Sequence, residues 1–195
     1  MKSNNDIPDG LIDTSTFDYY VIVDLESTCC DKGTIPNNEG EIIEIGAVVA
    51  NGSCLSYLAS FTTFVKPIKV PTLTPFCIEL TSITQQDVDS APRFSEAASL
   101  FEQWLSKYPN HLFCSWGNYD KNHLNSESLL YKIPCPIQAP HINLKRYLAR
   151  YQKVKRMGLQ NALLHYNFSF DGICHRGVDD AKNALKLLPY CLGRQ

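Results

Sequence analysis

Apolar residues recur along this chain at two spacings, and the change from one to the other marks the elements. Tyr19-Tyr20-Val21-Ile22-Val23 is a β-rich run that turns polar at Asp24 and Glu26, the pattern of a buried central strand with acid at its end. A second strand is predicted over Glu41 to Ala50 and a third near Leu55 to Val65. The tight connection around Asn51-Gly52 favours an antiparallel meander. Lys66 to Asp87 contains Pro67, Pro71 and Pro75, so a loop with short helical pieces is expected there. Phe94, Ala97, Ala98, Phe101, Trp104 and Leu105 follow helical spacing, and Pro109 ends that helix. His111 to Ser115 reads as a short buried strand leading into Trp116-Gly117-Asn118-Tyr119-Asp120. Helical patterns return at about 120–131, 142–152 and 158–166, and a last helix is predicted from Val178 to Leu188. Val178, Ala181, Leu185 and Leu188 form its inward face.

Hairpin-linked strands, then helix, strand and more helices, predict an α/β fold with a mixed sheet in a single domain. Residues 1–17, polar and holding Pro8 and Gly10, are expected as a flexible lead-in, and residues 18–195 as the folded domain. A chain of 195 residues with 44% apolar and 19% charged residues is an ordinary globular protein, not a disordered one. No apolar run approaches the ~20 residues of a membrane span, and the first residues lack a signal-peptide profile. These features point to an intracellular, cytoplasmic address, where the eight cysteines stay reduced. No Cys-x-x-Cys pair favours a zinc site, and Cys54, Cys77 and Cys114 are expected as small core residues.

The net charge of −2 does not by itself suggest a nucleic-acid partner, but its distribution alters that picture. Between Glu127 and Asp171 there is no acidic residue, while Lys132, Lys145, Arg146, Arg150, Lys153, Lys155 and Arg156 all fall there. Such a stretch suits phosphates and salt-dependent binding, or else forms a solvated face of snorkelling side chains. The pattern leaves both open.

The chemistry begins with Asp24 and Glu26, two apart on a strand and therefore on one face. Carboxylates that close repel unless a cation lies between them, and oxygen-only ligands suit Mg²⁺ or Mn²⁺. Asp120 and Asp180 can complete the cluster, the latter in the first turn of the last helix, where the dipole favours negative charge. Gly117 and Gly177 beside them fit tight backbone paths. His175, five residues before Asp180, can take a proton from water while two metal ions assist phosphodiester cleavage. Two other classes compete: a nucleic-acid-binding module without turnover, and a cysteine hydrolase using Cys29 or Cys30 with His175. The second leaves the four carboxylates unexplained.

Asp24-x-Glu26, Asp120 and His175-x4-Asp180 resemble the three motifs of the DEDDh exonuclease superfamily, which includes RNase T and polymerase proofreading subunits. The chain is more closely similar to the histone-mRNA and siRNA 3′ exonuclease group, the enhanced-RNAi exonuclease type. That likeness rests on Phe64-Val65-Lys66-Pro67, Phe76-Cys77-x-x-Leu80-Thr81, Ser115-Trp116-Gly117 and the run from Gly172 to Ala181, and covers residues 18–190. It implies a ribonuclease-H-like mixed sheet flanked by helices. It also implies Asp24, Glu26, Asp120 and Asp180 as ligands of two Mg²⁺ ions, replaceable by Mn²⁺, with His175 as general base. The implied activity is 3′→5′ release of nucleoside monophosphates from single-stranded RNA, with single-stranded DNA as the alternative. The implied nucleotide site has Ser27 and Thr28 at the terminal sugar and Phe76, Leu80 and Thr81 lining the pocket. Trp116 would stack on a base, and Arg176 would bind phosphate or pair with Asp179. One departure stands out: Ser82 occupies the place of a glycine in the group's Leu-Thr-Gly-Ile pattern.

Overall fold

In the computed structural model, which describes residues 10–31 and 40–194, β1 (Tyr19–Ser27), β2 (Ile42–Asn51) and β3 (Tyr57–Phe64) form the antiparallel meander. On the other side of β1, β4 (His111–Ser115) and β5 (His141–Asn143) add in parallel, giving the order β3-β2-β1-β4-β5. β1 is the hinge of the design, because its two neighbours run in opposite senses. Alternation along it divides the core. Tyr20 and Ile22 face α5 (Leu144–Tyr151), α6 (Leu159–His165), α7 (Gly177–Lys186) and α8 (Leu188–Cys191), whereas Val21, Val23 and Leu25 face α3 (Phe94–Leu105) and α4 (Tyr119–Tyr131). Among the described residues no helix is long and apolar enough to cross a membrane.

Residues 10–17 contact the body through hydrogen bonds: Ile12 N donates to Tyr147 Oη at 2.9 Å, Tyr20 Oη donates to Thr14 O at 2.7 Å, and Asn110 donates to Thr16 O. The remainder of the lead-in, residues 1–9, lies outside the described residues. Three expectations are corrected. Cys54 is exposed in the turn between β2 and β3, while Cys77 and Cys114 are buried as expected. Part of the helical pattern from 142 is β5, a strand too short to show a period, after which the Asn143 side chain accepts from Arg146 N and starts α5. The last helix stops at Lys186, and Pro189 opens the short α8 near its N-terminus, where a missing N–H costs nothing.

Ser82 explains its own departure from glycine. It caps α1 (Pro75–Thr81) at φ 59° and ψ 15°, a left-handed conformation that glycine adopts without steric cost. Ser82→Gly is therefore expected to raise stability by about 0.5–1 kcal/mol. A urea midpoint that shifts upward with unchanged slope would show it; an unmoved midpoint would mean that the serine carries no strain.

Candidate metal centre and substrate cleft

The face of β1 that begins with Tyr20 and Ile22 continues with Asp24 and Glu26, so two carboxylates replace apolar residues where α7 covers the sheet. α7 can approach because Gly46 lies opposite Asp24 in the β1–β2 register. A Cβ on Gly46 would overlap the backbone of Gly177 and Val178, and one on Gly177 would stand 2.7 Å from Asp24 O. This backbone-to-backbone contact carries Asp180, one turn into α7, to the end of β1. Gly46→Ala is expected to cost about 1–3 kcal/mol through overpacking. Activity should fall further than that cost explains, since the helix that is pushed away holds a ligand. Thermal melts and turnover measured side by side would check this; equal activity in a folded variant would break the argument.

Asp24, Glu26 and Asp180 can each place an oxygen within 4.8 Å of the others. Burial and then the charges of Asp120, Asp180, Glu26 and Glu44 hold Asp24 well above the usual carboxylate range. Burial followed by the charges of Asp180, Glu44 and Asp120 pushes Glu26 up to about 8. Asp180 is also raised, chiefly by burial, against the opposing charge of His175, and its Oδ2 is buried without a hydrogen-bond partner. An uncompensated knot of oxygen donors fits a hard divalent cation and little else. Asp120 stands slightly apart from the trio: it is buried, its Oδ1 accepts from Leu25 N at 3.1 Å, and burial raises its pKa to about 6.

His175 precedes α7, exposed and left-handed at φ 59°. The next two residues are anchored by Glu44, a fully buried carboxylate on β2 directly opposite Glu26. Glu44 accepts from Arg176 Nε at 3.2 Å, Arg176 Nη2 at 3.1 Å, Gly177 N at 3.0 Å and Thr62 Oγ1 at 3.1 Å. The Arg176 guanidinium also lies over the Phe64 ring. Arg176 thus fastens the histidine turn to the sheet through Glu44. A charged residue inside the apolar run Ile42-Ile43-Glu44-Ile45 was the signal that a partner had to exist.

Beside the carboxylates opens a cleft of about 290 Å³ lined by Leu25, Glu26, Ser27, Thr28, Cys29, Leu80 and Tyr119. Ser27, Thr28 and Leu80 thus share one cleft with Glu26. Ser27 Oγ is buried without a partner, while Thr28 Oγ1 already accepts from Glu41 N at 2.9 Å. Phe76 shares the half-exposed face of α1 with Leu80, one turn away, but does not line the cleft. Thr81 is wholly buried and donates to Cys77 O at 2.8 Å, a helix-end bond rather than a pocket contact. Trp116 is only 8% exposed, packs in the core, and donates its indole N–H to Met157 O. The exposed aromatic at the cleft is instead Tyr119, stacked on His123 with ring centroids 5.0 Å apart. Its place immediately before Asp120 was the available signal.

A family profile described as RNase T exonuclease matches residues 21–188. The chain is 29% identical to 3′-5′ exonuclease eri1 of Schizosaccharomyces pombe, a match covering 87% of this chain and 66% of that protein. It is 31% identical to human 3′-5′ exoribonuclease 1, covering 89% of this chain and 52% of that one. The chain thus spans about half to two thirds of the length of these relatives. In three dimensions it superposes on the nuclease domain of 3′hExo, a DEDDh family member bound to rAMP, with TM-score 0.80 and 30% identity. That match covers 90% of this chain and 94% of the other.

Proposed function

Because this chain belongs to the RNase T exonuclease family, we propose that it removes nucleoside monophosphates one at a time from the 3′ end of single-stranded RNA. The observation that carries the reading is the trio Asp24, Glu26 and Asp180, with Glu26 buried and the other two partly so, and with Glu26 lining the adjacent cleft of about 290 Å³. Asp24, Glu26 and Asp180, with Asp120 behind them, would hold two divalent cations, Mg²⁺ by preference and Mn²⁺ as a substitute. Such ions supply charge neutralisation at the scissile phosphate and a more acidic water.

The chain's own residues do the rest. Leu80 and Tyr119 flank the terminal nucleoside, and the unpartnered Ser27 hydroxyl offers a hydrogen bond to its sugar. His175, exposed beside Asp180 and fastened through Arg176 and Gly177, accepts the proton of the attacking water. The similarity to a nuclease domain bound to rAMP supports the ribonucleotide preference.

The test is a time course on matched 5′-labelled single-stranded RNA and DNA, with Mg²⁺, with Mn²⁺ and with EDTA. A metal-dependent ladder that shortens from the 3′ end, faster on RNA, is the expected result. Faster DNA shortening would reverse the substrate preference. Folded, metal-loaded protein that cuts neither would leave a binding module.

A further inference from the structure

The fold does not use the basic stretch between Glu127 and Asp171 evenly. Arg146 and Arg156 meet at a polar cavity of about 310 Å³, together with Asn118, His141, Asn143 and Gly10. Lys132, Lys153 and Lys155 do not line it. Among the described residues neither arginine has a carboxylate partner, since the ion pairs formed are His123–Glu127, Arg176–Glu44, Lys182–Asp179 and Lys186–Asp171. Arg146 gives one hydrogen bond to Gly10 O, at 2.7 Å, and Arg156 is exposed. Two guanidiniums that face one cavity without acid nearby repel each other, so an anion between them is favoured on charge alone.

The position of the cavity says which anion. β1, β4 and β5 run parallel to one another, so their C-terminal ends open on one edge of the sheet. Glu26 leaves that edge from β1, and Asn118 and Asn143 leave it from just beyond β4 and at the end of β5, bonded to each other at 3.1 Å. Asp120 follows Asn118 by two residues, and the Lys145 charge acts on Asp120. The cavity therefore lies beside the carboxylate cluster on the same edge. The Lys121 ammonium also acts on His141, whose ring bonds Ser115 Oγ at 2.8 Å and is kept neutral mainly by burial. A strand whose 3′ end enters an acidic cleft brings further phosphates with it, and these need positive charge alongside.

We propose that this cavity binds the phosphodiester backbone upstream of the nucleotide being removed, with Arg146 and Arg156 as its phosphate clamps. Asn118 and Asn143 supply neutral donors, the mix of groups that positions a strand without reading its bases. The inference rests on the exonuclease reading above and names the part of the substrate that this edge holds.

The test compares Arg146→Gln/Arg156→Gln with Lys153→Gln/Lys155→Gln, a pair that removes the same charge away from the cavity. Substrates are an RNA dinucleotide, which has no upstream phosphate, and an RNA of about 12 nucleotides. The arginine pair should raise KM on the longer RNA by about 10-fold or more and flatten its salt slope by about 1.4, two phosphate contacts' worth. The lysine pair should do neither. Turnover of the dinucleotide reports whether the catalytic cluster survived. An unchanged KM for the longer RNA, or equal effects of the two pairs, would overturn the site. If wild-type protein cuts no RNA, the exonuclease reading fails by itself, and fluorescence anisotropy of the labelled RNA in EDTA still compares the two pairs for binding.

Discussion

Asp24→Asn is expected to abolish turnover and, in the same protein, to raise the melting temperature of the metal-free state. Both effects have one cause. Asp24 is buried among Asp120, Asp180, Glu26 and Glu44, so its charge is costly until a cation shares the site. Asparagine keeps the shape, removes the charge and loses most of its capacity as a cation ligand. The linkage has a definite sign. A carboxyl whose folded pKa is raised adds stability below its ordinary value and loses it as pH rises through the folded value. For Glu26 that window runs from 4.5 to about 8. Metal-free wild-type protein should therefore lose stability across that range, and Mg²⁺ or Mn²⁺ should restore more of it at the alkaline end. The variant should show a shallower slope and a smaller response to metal. Thermal melts in EDTA and in metal, at about pH 5 and pH 8, measure all of this. A variant that melts lower than wild type in EDTA, or that still cleaves, would contradict the assignment of Asp24.

His175→Ala is expected to lower kcat by about 10²–10⁴-fold, the usual worth of a positioned general base. Metal-induced stabilisation should survive, because the carboxylates stay in place. The separation of the two readouts is the point of the experiment. Loss of both would place His175 in the scaffold, and loss of neither would remove it from the reaction. The left-handed backbone at φ 59° adds a structural contrast: alanine there is strained, whereas His175→Gly is not. Glycine should match alanine in rate and exceed it in stability. Glu44 is why the geometry can persist in either variant, since its bonds to Arg176 and Gly177 do not involve the histidine side chain.

Much of the molecule was open to reading from local pattern. The period of two along Tyr19 to Glu26 placed Asp24 and Glu26 on one face, and the β2–β3 hairpin followed from the short connection at Asn51-Gly52. The limits of α4 fall within a residue of expectation, whereas α3 starts at Phe94 as its pattern does but stops at Leu105, short of Pro109. These features depend on neighbours in sequence, and side-chain direction repeats with the backbone. Residue types alone also indicated the chemistry: four carboxylates and a histidine have few other joint uses.

What lay beyond the sequence were choices among partners far apart in the chain. Arg176 reaches Glu44 across 132 positions, and Leu25 N takes one oxygen of Asp120 across 95. Trp116 and Thr81 looked like pocket residues because they stand beside motif residues, yet one fills the core and the other closes a helix. Tyr119 took the exposed place at the cleft. Gly46 looked like any strand glycine until α7 was seen pressed against it. The sequence by itself determined which groups exist, on which strand face the first two acids stand and what reaction they suit. Only the tertiary structure decided which buried charge each cation neutralises and which cations stay free, because burying a charge makes pairing compulsory while leaving the partner to packing.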